Sequence, residues 1–83
     1  MKHIAVKSFR EMFDELPTDT QNIAKRAFEL LKSNSQHPSL HLKKVKEYWS
    51  IRIGVKYRAL GVQKEEAIIW FWIGKHDDYE KLI

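Results

Sequence analysis

Four side chains in the second half of the chain, Arg52, Arg58, His76 and Tyr79, are of types that can handle a phosphodiester. Arginine stays protonated, so Arg52 and Arg58 can hold and neutralise a phosphate but are poor bases. Histidine titrates near pH 6.5 when unperturbed, which makes His76 the group here that can give or take a proton near neutrality. Tyr79 adds a weaker acid, or a ring on which a base can stack. A base, an acid and a charge clamp are therefore available between Tyr48 and Tyr79. The plainer alternatives are that Arg58 pairs with Glu47, Asp77 or Asp78, and that His76, just past Gly74, is a helix-start residue with no reaction to perform.

Three strand-like segments carry these residues. Trp49-Ser50-Ile51-Arg52-Ile53 alternates with period two, placing Trp49, Ile51 and Ile53 on one face and Ser50 and Arg52 on the other. The segment 57–63 follows, and Lys64-Glu65-Glu66 is read as a polar hairpin turn. Ala67 to Ile73 is a continuous apolar run, read as a central strand buried on both faces, in which Trp70 and Trp72 belong to the core. The expected arrangement is a meander over 48–53, 57–63 and 67–73. If Gly54-Val55-Lys56 is a three-residue loop, Arg52 and Arg58 face each other on one side of the sheet; a two-residue loop would put them on opposite sides. Two cations opposed across a ladder are unfavourable unless an anion lies between them.

The first half reads as helical support. Lys2 to Lys7 alternates weakly and fits a short edge strand. Ser8 and Glu11 have the spacing of a capping box, predicting a helix over 9–15 that stops at Pro17. Thr18 and Gln21 have the same spacing, with Asp19 in the first turn. Behind them Ile23, Ala24, Ala27, Phe28, Leu30 and Leu31 form one apolar stripe, while Gln21, Lys25, Arg26, Glu29 and Lys32 are expected to face outward. This long helix ends near 33–35. A linker barred from helix by Pro38 leads into 40–45, a short strand or arm.

At 83 residues the chain is expected to form one domain, 1–83, without cysteines to staple it. Nothing resembles a secretory signal, and no run approaches the about 18 apolar residues of a membrane span, so a cytoplasmic protein without membrane contact is expected. Positive charge is concentrated in 36–64, where Lys43, Lys44, Lys46, Arg52, Lys56, Arg58 and Lys64 stand against a single acid, Glu47. Such a run suits a polyanion or an acidic protein, and equally an ordinary solvated face. Lys43, Lys44, Lys46, Lys56 and Lys75 are the candidate nucleic-acid contacts. His37 and His41 lack further ligands at metal-binding spacing, so no metal and no cofactor is expected.

Leu16-Pro17, Ala24 and Ala27, His37-Pro38-Ser39-Leu40, Trp49-Ser50-Ile51-Arg52-Ile53, Tyr57-Arg58-Ala59-Leu60 and Trp72-Ile73-Gly74-Lys75-His76-Asp77-Asp78-Tyr79 together resemble the RelE/ParE superfamily of toxins from type II toxin–antitoxin systems. The resemblance spans nearly the whole chain. It implies an α+β fold in which two N-terminal helices pack on a small, twisted, mainly antiparallel sheet of three to four strands. It also implies a cognate antitoxin as partner and, in one branch of the family, metal-independent cleavage of messenger RNA on the ribosome. Within that branch Arg52 matches a basic strand position, Arg58 the arginine of a Tyr-Arg strand, His76 a cation after Ile-Gly, and Tyr79 a C-terminal tyrosine. Ser50 departs from the branch, whose ribonucleases tend to carry a second basic residue there. The alternatives are a non-nucleolytic toxin that binds DNA gyrase and a toxin-fold protein that retains only antitoxin binding.

Overall fold

The computed structural model describes residues 1–83. Strand β1 (Lys2–Ala5) runs directly into helix α1 (Lys7–Asp14), and α2 (Thr18–Ser33) follows. A 3-10 turn over Pro38–Leu40 precedes β2 (Lys43–Val45), β3 (Tyr48–Ile53), β4 (Tyr57–Lys64) and β5 (Ala67–Lys75), and helix α3 (His76–Leu82) ends the chain.

Both helix starts differ from the capping boxes expected of them. Helix α1 begins two residues early, behind extended Val6, because Val6 N–H continues the strand pairing by donating to Trp70 O at 3.2 Å. Ser8 Oγ is thereby turned toward the sheet and donates to Phe71 O at 3.1 Å. Helix α2 is capped by Pro17, whose carbonyl accepts Gln21 N–H at 2.9 Å. The Gln21 side chain does not face outward. Its amide nitrogen lies 3.1–3.2 Å from the carbonyls of Phe13, Asp14 and Leu16, so it satisfies the open end of α1 and fixes the angle between the helices.

The sheet has five strands in the order β1-β5-β4-β3-β2, all antiparallel except β1, which runs parallel to β5 with Lys2 opposite Ala67 and Ala5 opposite Trp70. The expectation of three to four strands and two helices is corrected to five strands of mixed direction and three helices. β1 and β2, only four and three residues long, lie at the two edges; β1 is the edge strand expected within 2–7, and β2 falls within the 40–45 segment expected to be a short strand or arm.

The stripe of α2 packs on one sheet face. Ala24 and Leu31 of α2, Phe9 of α1 and Leu40 of the 3-10 turn meet Ile51, Ile53, Ala59, Ile68, Trp70 and Ile73. Phe28 stands edge-on to both Phe9 and Trp70, with centroids 5.5 and 5.3 Å away. Strand β5, expected to be central and buried on both faces, lies second from the edge between β1 and β4 and is not buried on both faces: Ile68, Trp70 and Ile73 are buried, while Ile69, Phe71 and Trp72 are half-covered. The far face carries only α3, at one end, and a bulge leaves Phe71 as the extra residue between the Gly61–Trp70 and Leu60–Trp72 pairs. Gly61 is required there, since a Cβ at that position would lie 2.6 Å from Ile68 Cγ2. No helix is long and apolar enough to cross a membrane.

Candidate functional site

The β3–β4 loop is the three-residue Gly54-Val55-Lys56, with Gly54 at φ +60. Ile53 therefore pairs with Tyr57, and Arg52 stands directly opposite Arg58. Alternation puts Ser50, Arg52, Arg58 and Leu60 on the far face, away from α2.

Arg58 is the centre of this face and is only 5% exposed. Its Nε donates to Ser50 Oγ at 2.8 Å, and its Nη2 donates to the carbonyl of His41 at 3.3 Å. His41 has left-handed backbone, φ 44, where the chain leaves the 3-10 turn. Helix α3 lays the Tyr79 ring over the guanidinium, 5.1 Å from ring centroid to Cζ. No carboxylate reaches Arg58: Glu47, Asp77 and Asp78 all lie beyond ion-pair distance, and the one ion pair of the molecule is elsewhere. Burial lowers the pKa of Arg58 below the usual arginine value; the charge of Tyr79 works against this and that of Arg52 adds to it. A buried cation held by neutral groups keeps most of its field for an anion that can approach it.

Tyr79 is 2% exposed, and its hydroxyl is buried with no partner at good hydrogen-bond geometry, although it approaches Arg58 closely enough to raise that group's pKa. His76 begins α3, as the plainer reading of that residue had it, and its backbone N–H donates to Lys56 O at 2.7 Å, tying α3 to the β3–β4 loop. Its ring lies 5.5 Å from that of Tyr79, and its Nδ1 meets Glu80 Oε1 at 3.1 Å, with 43% of the side chain exposed. Glu80 thereby favours the tautomer with the proton on Nδ1 and leaves Nε2 as the free nitrogen. Arg52 sends its Nε to Gly54 O at 2.9 Å.

The structure thus brings Arg52, Arg58, Tyr79 and His76 into one contiguous series across β3, β4 and α3. Of the five lysines, Lys43 and Lys46 line a hollow of about 420 Å³ with His76 and Tyr79, and Lys56 and Lys75 border a neighbouring one with His76. Lys44 is not part of the set. It pairs with Trp49 across the ladder and lies over that ring, 5.6 Å from its centroid, on the opposite face. Ser50, Glu80 and the His41 carbonyl complete the site and were not among the expected functional groups. Ser50 was legible in principle, because it shares a sheet face with Arg52; a backbone carbonyl leaves no trace in a sequence. No group of three or more His, Cys, Asp or Glu side chains is placed to hold a metal ion.

Residues 21–81 match the family model described as a ParE-like toxin domain. No curated protein matches the sequence. Among solved structures, the chain is similar to the RelB–RelE antitoxin–toxin complex from Methanococcus jannaschii, with 23% identity, TM-score 0.74 and coverage of 96% of this chain and 98% of that one. It is similar to the YoeB/ParE toxin from Agrobacterium tumefaciens at 14% identity and TM-score 0.69, covering 92% and 99% of the two chains. For YafQ from E. coli strain BL21(DE3) the figures are 12% identity, TM-score 0.69 and coverage of 94% and 96%. At these identities the similarity carries the fold.

Proposed function

From the premise that the chain belongs to the ParE-like toxin domain family, we propose that it is the toxin of a toxin–antitoxin system and cleaves messenger RNA on the ribosome. The observation that carries this reading is Arg58, a buried guanidinium with no counter-ion, directly opposite a second arginine. Two cations across one ladder repel, and a phosphate between them turns the repulsion into binding.

In this reading Arg52 and Arg58 hold the scissile phosphate and neutralise the charge that builds on its non-bridging oxygens in the transition state. His76, through Nε2, takes the proton of the ribose 2′-hydroxyl; the P–O2′ bond forms as the P–O5′ bond breaks. Tyr79 gives its proton to the departing 5′ oxygen. The products are a 2′,3′-cyclic phosphate and a 5′-hydroxyl. The Tyr79 ring covers Arg58 in the resting molecule, so the phosphate reaches the guanidinium when that ring swings aside. Ser50, at the position where ribonucleases of the resembled branch tend to carry a second basic residue, serves as the acceptor that aims Arg58. Lys43 and Lys46 bind the flanking backbone.

The test is induced expression in a bacterial host, with message ends mapped on ribosomes. New ends within the A-site codon are expected from the parent protein. His76→Gln should lower cleavage about 10²–10⁴-fold with ribosome binding intact. Arg58→Ala should abolish the ends, and Arg58→Lys should restore them only in part because the planar fork is lost. Growth arrest with intact messages would overturn this reading in favour of a gyrase-directed toxin; no arrest from the folded protein would leave a scaffold that binds its antitoxin.

A further inference from the structure

We infer that the open part of the far sheet face is a stacking platform for the bases of single-stranded RNA, with Trp72 taking the base next to the phosphate held by Arg52 and Arg58. This rests on the cleavage of messenger RNA proposed above and adds to it the groups that hold the bases.

Trp72, expected in the core beside Trp70, is turned out of it by the bulge. Trp70 stays opposite Gly61 among the core side chains, while the extra residue lets both Phe71 and Trp72 point to the far face, where Trp72 pairs with Leu60. The six-membered ring of Trp72 lies over Gly74, at which a Cβ would come within 2.7 Å of Cζ2, and Gly74 is the residue opposite Arg58. The indole therefore sits beside the phosphate clamp, and it remains half-covered. One row beyond Trp72, about 7 Å along the strands, Tyr48 and Val62 face the same way. The Tyr48 ring meets that of Phe71 with centroids 5.5 Å apart, and both rings are half-covered. Aromatic surface thus continues from the clamp along the face that α3 leaves open.

The charge around these rings selects the occupant. None of the five strands carries an Asp or Glu. On the far face Lys43 stands opposite Ser50, and Lys2 and Lys64 flank Ala67, so exposed cations border the rings on both sides. Rings set between cations suit a single nucleic-acid strand, whose bases stack while its phosphates pair with the lysines. A second copy of this chain would cover the same rings but would bring the same cations against them.

The test compares a short, labelled, single-stranded RNA with an abasic ribose-phosphate strand of the same length, titrated by fluorescence anisotropy with the parent protein, Trp72→Leu and Trp72→Phe. The two strands offer the same phosphates, and only one offers bases. Trp72→Leu keeps an apolar cover over Gly74 and Trp72→Phe keeps a ring, so both should fold, which melting curves would check. The parent should prefer the base-bearing strand by about 5-fold or more, the low end of what one stacked base contributes. Trp72→Leu should lose about 5–150-fold in affinity for that strand and nothing for the abasic one, and Trp72→Phe should recover part of the loss. The salt dependence should stay that of the parent, because the phosphate contacts persist. Equal binding of the two strands by the parent, or an equal loss for both in Trp72→Leu, would overturn the inference. So would a parent dimer that Trp72→Leu dissolves while the two strands bind alike, which would assign the face to a second copy. If messages are cleaved in cells but the strands bind alike, cleavage stands and the platform falls. If the preference and its loss are seen while messages stay intact, the platform stands and the cleavage reading falls.

Discussion

Replacing Tyr79 by Phe should make the protein more stable and less active. The ring is 2% exposed and stays over the Arg58 guanidinium in the variant, so the packing and most of the cation–π contact are kept. What is lost is a hydroxyl buried with no partner at good hydrogen-bond geometry. Burying such a group unpaired costs about 1–3 kcal/mol, which Tyr79→Phe should recover. In a domain of 83 residues each kcal/mol moves the melting temperature by about 4–8 °C. Thermal and urea denaturation of the purified protein would measure the gain. Message cleavage in the same variant should fall, because the group proposed to protonate the 5′ oxygen is gone. A melting temperature equal to or below that of the parent would refute the reasoning: the hydroxyl would then have a partner, a trapped water or Arg58 itself. A stabilised variant with undiminished cleavage would instead remove Tyr79 from the chemistry and leave it as a cover.

Ser50→Ala should cost about 1–3 kcal/mol by stranding the buried Arg58 Nε–H, and urea denaturation should show Ser50→Ala combined with Arg58→Met recovering most of the loss, since both polar partners are then removed. Phe28→Ala removes the ring that bridges Phe9 and Trp70 and should cost about 3–5 kcal/mol; a melting temperature within a few degrees of the parent would mean that the α2 stripe contributes little. Gly61→Ala should destabilise by about 1–3 kcal/mol, because the new methyl collides with Ile68 and Trp70 at the bulge; an unchanged urea midpoint would show that the bulge can relax. His3 accepts Trp70 Nε1–H at 3.1 Å, and burial foremost, then the N-terminal amine and Lys32, lower its pKa. The unfolded chain then takes up the proton more readily than the folded one as pH falls. The contribution of His3 should be complete above its ordinary value of 6.5 and decline below it, a slope that His3→Asn should flatten in melting curves taken across this range.

The sequence by itself determined the type of each long element and the side on which its residues fall. Alternation in 49–53 placed Ser50 and Arg52 together, and the spacing of Ile23 to Leu31 chose the face of α2 that meets the sheet, whereas the sequence left Arg58 on either side until the structure fixed the β3–β4 loop at three residues. The first two are consequences of local geometry, a period of two or of 3.6, and a dozen residues suffice to state them. The tertiary structure alone decided the relations between elements distant in the chain. β1 found β5 across more than sixty residues, Gln21 turned from its own helix to the end of α1, and α3 folded back to lay Tyr79 over a guanidinium whose other partners are Ser50 and the His41 carbonyl. Such choices follow from which arrangement covers the most apolar surface while leaving the fewest polar groups unpaired, a condition on the whole molecule that no local spacing expresses.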